Sequence, residues 1–366
     1  MTAPMPGPLT GLTIVEMAGI GPGPFAGMML ADHGAEVIRV ERSGMIGIPN
    51  DPLLRSRLSI ALDLKQQGAR DIVRRLAAGA DGFIEGCRPG VMERLGLGPD
   101  LLLGDNPGLV YGRVTGWGQE GPLVHSAGHD INYVALSGLL HGIGPKERPV
   151  VPVNYVADYA GGGMMLAFGM VSALLSVERG GAGQVIDCAM SDGAALIGAL
   201  TYGMRAAGLW ADEREANLLD GGSATYGVYE CSDGKFVAVG AIEPQFRQAL
   251  LEGLGLAQDA GREEVARAIS MRSRDEWVAH FEGTDACVAP VLSLGEAPGH
   301  PHNRARGTFV ELDGVVQPGP APRYSETKSV EPRPPRAQGA DGEDILLKLG
   351  YSAEEIGGLR REGALL

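Results

Sequence analysis

The sequence predicts an α/β fold in which a domain with a parallel sheet is followed by a smaller mixed domain. Over the first 120 residues, short apolar runs typical of buried strands alternate with segments of helical periodicity. Such alternation predicts βαβ units, and therefore a parallel sheet. In the second half, a helical stretch and a hairpin pattern replace this alternation. At 366 residues the chain is long enough for two domains with a substantial core.

The elements of the first half follow from the apolar runs and the residues that interrupt them. A helix over 24–34 opens on Pro24 and ends at Gly34, which are positions where proline and glycine are common. A second helix is predicted over 69–79. Strands are predicted at 12–18, 35–41, 58–64, 82–86 and 108–116.

The second half carries two strong local signals. Asp233-Gly234 predicts the turn of a hairpin over 225–240. Ser352 and Glu355 form the pattern of a capping box and predict the start of the last helix. Further predictions are a helical stretch over 193–210, a helix over 243–255 and an exposed linker rich in proline and arginine over 317–337.

Composition excludes several classes of function. A net charge of −14 argues against broad binding to nucleic acid or to anionic membranes. The four cysteines contain no CxxC pair, which argues against a zinc site and favours reduced thiols in a cytoplasmic protein. The first eleven residues lack the pattern of a signal peptide. The apolar run 164–177 is shorter than the ~20 residues of a spanning helix, so we expect a buried core helix.

A glycine-rich loop follows the first predicted strand. Gly19, Gly21 and Gly23 resemble a dinucleotide-binding fingerprint at the start of a helix. However, Pro22 and Pro24 remove backbone N–H donors where a pyrophosphate would need them. The loop is therefore better explained as a tight turn that closes a Rossmann-like unit than as a nicotinamide site.

Several cationic side chains lie at predicted strand ends or in loops. Together they could hold the phosphates of an anionic ligand, even on an acidic protein. The alternative is that each is a solvated surface charge. These residues are Arg42, Arg55, Arg57, Lys65, Arg88 and Arg94.

Two residues are candidates for acid/base chemistry. His129, in the segment AGHDINY, could be a packed core residue, a metal ligand or a catalyst. His125 lies four residues earlier, but without an HExxH pattern a zinc site is improbable, and we expect no metal. Asp158 precedes the glycines 161–163 and an apolar helix. It could cap that helix, but three glycines favour a place where a ligand approaches the backbone.

Nine segments together resemble the racemase branch of the family III (formyl-CoA transferase-like, CaiB/BaiF) coenzyme A transferases. The resemblance covers nearly the whole chain. The segments are LADHGAEVIRVER, RPGVMERLGLGP, TGWGQEGP, AGHDINY, ERPVVPVNYVADYAGGG, GQVIDCAMSDG, NLLDGG, VAVGAIEPQF and DACVAPVL.

The resemblance implies a particular domain organisation. A Rossmann-like large domain would cover 1–200 and be completed by the tail 330–366. A helical linker over 201–220, a small α+β domain over 221–316 and a second linker over 317–329 would follow. Two such chains would interlock into a homodimer, with each active site between the large domain of one subunit and the small domain of the other.

The resemblance also implies an activity and its catalytic residues. The substrate would be a 2-methylacyl-CoA thioester whose α-carbon is inverted, with no separate cofactor. His129 and Asp158 match the two acid/base groups of the racemases. Glu243 matches a glutamate that approaches the histidine from the partner subunit. The alternative is a CoA-transferase, since transferases typically lack the histidine and use the aspartate as nucleophile.

Residues for coenzyme A follow from the same resemblance. Arg42 and Arg94 match positions that bind the phosphates. The other matched positions are Leu62, Asp63, Leu64, Lys65, Gly86, Cys87, Arg88, Gly128, Asp130, Ile131, Asn132 and Tyr133.

Overall fold

The computed structural model describes residues 7–42, 44 and 48–366, and its backbone forms two compact units. The larger unit contains the described residues up to Ser137, together with Val153–Ile197 and Arg304–Leu366. The smaller unit contains Gly138–Pro152 and Gly198–Asn303. The domain boundaries expected from the sequence stay a prediction, but the first of them, after residue 200, lies near this division after Ile197.

A parallel sheet of six strands forms the centre of the larger unit. Its strands are β1 (Thr13–Met17), β2 (Glu36–Glu41), β3 (Leu58–Ala61), β4 (Gly82–Glu85), β5 (Val110–Thr115) and β6 (Gln184–Ala189). Their order in the sheet is β3-β2-β1-β4-β5-β6, and every pair is parallel. The predicted α/β fold with a parallel sheet is therefore confirmed.

Helices cover both faces of this sheet, as parallel pairing requires. The helices in this part of the chain are α1 (Pro22–Asp32), α2 (Gln67–Ala78), α3 (Val91–Arg94), α4 (Pro99–Asp105), α5 (Asp130–Leu136), α6 (Met165–Glu178) and α7 (Met190–Ile197). A wider helical stretch of π type, Tyr155–Met164, leads directly into α6. Single 3₁₀ turns occupy Pro52–Leu54, Leu139–Gly142 and Ala297–Gly299.

The smaller unit is built on a three-stranded antiparallel sheet. Its elements are α8 (Ala199–Ala206), β7 (Tyr226–Glu230), β8 (Phe236–Gly240), α9 (Pro244–Leu254), α10 (Arg262–Ile269), α11 (Arg274–Phe281) and β9 (Val288–Pro290). The predicted hairpin is confirmed, because β7 and β8 pair antiparallel around Asp233-Gly234. The predicted helical stretch 193–210 is corrected, since it breaks at Gly198 into α7 and α8.

The C-terminal segment returns to the larger unit at Arg304. It contains α12 (Pro301–Arg306), the hairpin β10 (Phe309–Leu312) and β11 (Val315–Pro318), α13 (Gly342–Lys348) and α14 (Ala353–Arg361). Ser352 accepts a hydrogen bond from the Glu355 N–H, which confirms the predicted cap. Ile345 and Leu365 are buried in the same apolar cluster as the sheet residue Val15. The tail therefore closes one face of the sheet.

The segment 317–337 is exposed over most of its length, as its composition predicts, but parts of it are fixed to the larger unit. Gln317 is buried, and its side chain accepts a hydrogen bond from Arg55 at 3.0 Å. The backbones of Ser56 and Arg333 also pair, with the Ser56 N–H donating to the Arg333 carbonyl at 2.9 Å. These contacts fix parts of the segment to the larger unit.

The stretch Tyr155–Glu178 is, among the described residues, the one helix long and apolar enough to cross a membrane by length and composition. Leu166 and Met170 are fully buried, and a Cβ on Gly112 of β5 would meet both side chains. The opposite side of α6 leaves Phe168 72% exposed. The expected core helix is therefore confirmed for one face of the helix only.

A network of buried charges lies beneath the first βα turn. Glu16 on β1 is fully buried and accepts hydrogen bonds from Arg39 and from Arg57. Arg55 is buried against Asp32. The guanidinium groups of Arg55 and Arg57 are thus committed to internal carboxylates, and the prediction that they could bind phosphate is wrong.

Replacing Glu16 tests the energetic role of this network. In Glu16→Leu, the buried Arg57 loses its ion pair with the Glu16 carboxylate, whereas Arg39 keeps its ion pair with Glu41. We expect the free energy of unfolding to fall by about 3–5 kcal/mol, the usual effect of stranding a buried charge. Urea unfolding followed by tryptophan fluorescence measures it. The control Asp105→Leu removes an exposed partner of Arg74 and should lower the midpoint far less, because an exposed ion pair contributes little to stability. Equal midpoints for both variants would contradict the network's role.

Candidate active site

The candidate site lies at the carboxyl edge of the parallel sheet. The strand order reverses between β1 and β4, and such a reversal opens a crevice in doubly wound folds. Gly21, in the turn between β1 and α1, has φ of 69°, a value that favours glycine. A Cβ on Gly21 would lie 3.5 Å from Asp158 Oδ2. The Asp158 carboxylate therefore sits over the first βα turn.

Asp158 belongs to the π-type stretch rather than to a helix cap. It is the fourth residue of Tyr155–Met164, and Asn154 precedes the first turn. Asn154 Nδ2 donates to Asp158 Oδ2 at 3.1 Å. The alternative hypothesis that Asp158 caps the apolar helix is therefore wrong. Helical stretches of π type are frequent at functional sites.

The three glycines after Asp158 serve packing. A Cβ on Gly161 would lie 2.7 Å from the Ala194 nitrogen of α7, and one on Gly162 would lie 2.9 Å from Pro22 Cβ. A Cβ on Gly163 would meet the ring of Phe25 at 2.8 Å. The interpretation that these glycines admit a ligand to the backbone is therefore corrected, because neighbouring helices occupy that space. Their role is to bring Asp158 close to α1 and α7.

His129 lies at the start of α5 with an exposed side chain. It is the residue before Asp130, the first helical residue. Its backbone N–H donates to Asn132 Oδ1 at 3.0 Å, and the Asn132 N–H donates to the His129 carbonyl at 2.8 Å. This reciprocal pairing fixes the backbone at His129 and leaves the imidazole at the surface of the larger unit. The alternative of a packed core histidine is excluded by this exposure.

Asp130 connects the two candidate catalytic segments. Its side chain is buried, and Oδ2 accepts hydrogen bonds from the N–H of Ala157 at 2.7 Å and from the N–H of Asp158 at 2.8 Å. The residue next to His129 thus binds the backbone of Asp158 directly. The resemblance predicted Asp130 as a residue that binds CoA, and it did not predict this role for the Asp130 side chain.

The electrostatic environment changes the acidity of Asp158. Partial burial raises the pKa of its carboxyl group, and the negative charge of Asp130 raises it further. The Asn154 hydrogen bond and the nearby His129 act in the opposite direction. His129 and Asp158 therefore lie within electrostatic reach of each other. A carboxyl group with raised pKa is a common feature of acid/base sites.

An aromatic pair supports the loop before His129. The rings of Trp117 and Tyr133 meet edge to face at a centroid distance of 4.8 Å. A Cβ on Gly128 would lie 2.7 Å from Tyr133 Cε1. Tyr133 is buried, which raises the pKa of its phenol. Within the segment expected to bind CoA, the side chains of Ile131 and Asn132 are exposed, whereas those of Asp130 and Tyr133 face inward.

The other expected CoA residues follow three adjacent or nearly adjacent strands. Arg42 follows β2, Leu62 to Lys65 follow β3, and Gly86 to Arg88 follow β4, so all lie at the same sheet edge as Asp158. Leu62 is fully buried and pairs with Leu365, so its side chain belongs to the core. The exposed cations at this edge are Arg42, Lys65, Arg88 and Arg94.

A buried ion pair that the sequence did not reveal supports this edge. Arg113 on β5 donates to Glu85 Oε1 and to Glu93 Oε1, both at 2.8 Å. Glu85 Oε2 accepts the Cys87 N–H at 2.6 Å. The network thus fixes the loop after β4 and the helix that carries Arg94. Burial raises the pKa of the Cys87 thiol to about 11, so this thiol is neutral at pH 7.

Glu243 lies in the smaller unit. It is exposed and precedes the first residue of α9. Its expected approach to the histidine of another subunit stays a prediction. Among residues 7–42, 44 and 48–366, no group of three or more His, Cys, Asp or Glu side chains could hold a metal ion.

Comparison with known proteins identifies the class of this enzyme. The sequence model of CoA-transferase family III matches residues 9–342, and the chain therefore belongs to this family. Among its relatives are the alpha-methylacyl-CoA racemases of mouse, 45% identical over 95% of both chains, and of human, 43% identical over 95% of both chains. The succinyl-CoA:glutarate CoA-transferase of mouse is 31% identical over 93% of this chain and 86% of that protein.

Solved structures share the fold. A CaiB/BaiF family protein from Brucella suis has a TM-score of 0.80 at 27% identity, covering 94% of this chain and 99% of that chain. Rv3272 from M. tuberculosis has a TM-score of 0.77 at 26% identity, covering 94% of this chain and all of that chain. The fold and the family therefore agree.

Replacing Asp158 tests its environment through protein stability. Because its pKa is raised in the folded state, ionisation of Asp158 destabilises the fold. This effect is absent below the ordinary carboxyl pKa, where Asp158 is protonated in both states, and grows as the pH rises above that value. Asp158→Asn should therefore gain stability over the unchanged protein between pH 4 and pH 7, measured by urea unfolding.

Asp105→Asn is the matched control of opposite sign. The Arg74 guanidinium lowers the pKa of Asp105, so ionisation of Asp105 stabilises the fold. Asp105→Asn should lose stability relative to the unchanged protein over the same pH range. A stability difference for Asp158→Asn that does not vary with pH would show that the Asp158 carboxyl titrates normally.

Proposed function

We propose that this enzyme is an α-methylacyl-CoA racemase that inverts the α-carbon of 2-methylacyl-CoA thioesters. The observation that carries the proposal is that the residue after His129, Asp130, binds the Asp158 backbone, and that the charge of His129 acts on the Asp158 carboxyl group. Burial raises the pKa of the Asp158 carboxyl group, and this carboxyl group lies over the turn between β1 and α1. The identity of 43–45% to racemases supports the same reaction.

Racemisation needs acid/base groups on two faces of one carbon. A single base would return the α-proton to the face from which it came. In the proposed reaction, the Asp158 carboxylate removes the α-proton, and the electron pair of the C–H bond moves into the thioester to form an enolate. The His129 imidazolium then donates its proton to the opposite face. In the reverse direction, His129 removes the proton and Asp158 donates it.

Efficient transfer in both directions requires the two groups to have similar proton affinities. Ordinary Asp and His side chains differ by about 2–3 pKa units. Burial of Asp158 raises the pKa of that carboxyl group and so narrows the difference.

The enolate oxygen needs hydrogen-bond donors. The first N–H groups of a helix lack partners within that helix, and Asp130 is the first residue of α5. We assign its N–H as the leading donor to the enolate oxygen. Loss of one such donor typically raises a barrier by ~3 kcal/mol.

Coenzyme A would bind along the edge formed by the ends of β2, β3 and β4. There Arg42 and Arg94 would contact phosphates, with Lys65 and Arg88 alongside them. Their exposure and their position at one sheet edge support this assignment. The thioester is the substrate itself, and the proposed reaction uses no separate cofactor.

The proposal includes an interlocked homodimer in the cytoplasm, with Glu243 of one subunit approaching His129 of the other. Apolar side chains on the outer side of α6, including Val171 and Leu175, are exposed in the single chain. Exposed apolar patches of this kind commonly mark subunit interfaces. The four free cysteines support a reducing compartment.

Transfer of coenzyme A between two acids is the second candidate. Transferases that are 31% identical to this chain are among its relatives, and Asp158 could attack the thioester carbonyl to form an acyl anhydride and release CoA. A histidine beside the aspartate favours proton transfer instead.

Incubation of a pure enantiomer of 2-methylacyl-CoA in deuterated water separates the two functions. Racemisation should incorporate deuterium at the α-carbon while inverting it, because both catalytic groups exchange with solvent. Mass spectrometry and chiral analysis measure the two events. If CoA is instead transferred to an added dicarboxylic acid and no deuterium enters the α-carbon, the function is CoA transfer and the proposed racemisation is wrong.

Replacing each proposed acid/base group should reduce turnover. We expect His129→Ala and Asp158→Asn to lower the racemisation rate by about 10²–10⁴-fold, the usual contribution of such groups. His125→Ala is the control, since His125 is also exposed and lies four residues earlier. A His129→Ala variant as active as the His125→Ala control would remove the histidine from the mechanism.

A further inference from the structure

We propose that the Asp130 side chain is a positioning residue that fixes the separation between His129 and Asp158. It acts through its hydrogen bonds to the backbone of the π-type stretch. The inference rests on the proposed function, because it concerns the same catalytic pair. It goes further by giving a role to a side chain that does not itself face the substrate.

Asp130 caps a helical stretch other than its own. The first four N–H groups of a helix lack partners within it. Ala157 and Asp158 are the third and fourth residues of Tyr155–Met164, and Asp130 Oδ2 accepts both of their N–H groups. The side chain of Asn154, at the usual capping position, makes no capping hydrogen bond and donates to Asp158 Oδ2. The cap is therefore supplied from 27–28 residues away.

This arrangement links the two catalytic residues by a short path. Asp130 follows His129 directly, and the backbone at His129 is itself fixed by its pairing with Asn132. The path from the His129 backbone to the Asp158 backbone thus passes through one buried side chain. A two-sided proton transfer is sensitive to the distance between its groups, and a 1 Å misplacement can lower a rate by about 10²-fold.

The second carboxylate oxygen has an electrostatic role. Asp130 Oδ1 is buried and, within the described residues, has no hydrogen-bond partner. The charge of a carboxylate in such a place is weakly screened. The titratable groups that face Asp158 are Asp130, His129 and Tyr133, with Asn154 as a neutral donor and Gly21 on the side of the β1–α1 turn. Of these, Asp130 is the group whose charge opposes ionisation of Asp158.

Two substitutions separate the geometric role from the electrostatic one. Asp130→Asn keeps an oxygen that can accept both N–H groups but removes the charge. Asp130→Ala removes both the oxygen and the charge. The matched control is Asp81→Asn, because Asp81 Oδ2 also accepts a backbone N–H, that of Thr13 at 2.8 Å, at the opposite edge of the sheet.

The measurement is kcat and KM for racemisation of each enantiomer across the pH range. For Asp130→Ala we expect kcat to fall by about 10²-fold with little change in KM, because the misplaced pair still binds substrate. For Asp130→Asn we expect a smaller fall in kcat. Its acidic limb of kcat/KM should shift to lower pH in the direction in which Asp158 is the base, because a negative neighbour of Asp158 has been removed. Asp81→Asn should match the unchanged protein.

The outcomes distinguish this inference from the proposed function. If Asp130→Asn and Asp130→Ala both keep the kcat and the pH profile of Asp81→Asn, the positioning role is overturned while racemisation stands. An equal loss in both variants with an unmoved pH profile also overturns it, since that result indicates a purely structural residue. Should Asp130→Ala fail to fold, Asp130→Asn carries the test by itself. Full activity in His129→Ala would instead defeat the proposed function.

Discussion

The parallel pairing of β1 with β4 is the constraint on which the rest of the larger unit depends. All six strands point in one direction, so every strand ends at the same edge of the sheet. The order reverses between β1 and β4, which sends the following segments to opposite sides and leaves a crevice between them. The turn after β1, the cationic loops after β2, β3 and β4, and Asp158 are brought together for this reason.

This arrangement buries charged side chains beneath the turn between β1 and α1. Glu16 is fully buried on a central strand, where an isolated charge would be strongly destabilising. Arg39 and Arg57 neutralise it, and Arg57 also donates to the carbonyl of Pro24 in α1. The same residues that satisfy the buried carboxylate therefore hold the start of α1 against the sheet, and Asp158 lies over that start. A second pair, Arg113 with Glu85, holds the loop after β4 in a similar way.

Close backbone packing and one shared carboxylate then set the geometry of the site. Gly161 approaches α7 so closely that a side chain would not fit, and this contact places the π-type stretch. Asp130 joins that stretch to the segment that carries His129. The raised pKa of Asp158 is a consequence of the same packing, because partial burial and the neighbouring carboxylate both disfavour its ionised form. Geometry and acidity therefore have one structural origin.

Features that depend on neighbours in the chain were predictable from the sequence. The cap at Ser352, the turn at Asp233-Gly234 and the alternation of strands with helices are decided within a few residues, so local patterns specify them. Where the pattern was ambiguous, local reasoning failed: Gly198 interrupts a helical stretch that its apolar periodicity had extended across it.

The tertiary structure alone decided which charged and small residues belong to the interior. In the sequence, Arg55 and Arg57 look like Arg42 and Arg88, yet the first two are buried in ion pairs and the last two are exposed. Asp130 lies 27 residues from its first backbone partner, and nothing in the intervening segment indicates that contact. The sequence by itself determined the order of elements, the family resemblance and the two acid/base candidates. The fold decided which carboxylate holds that pair, because burial and long-range hydrogen bonds arise only when distant segments pack.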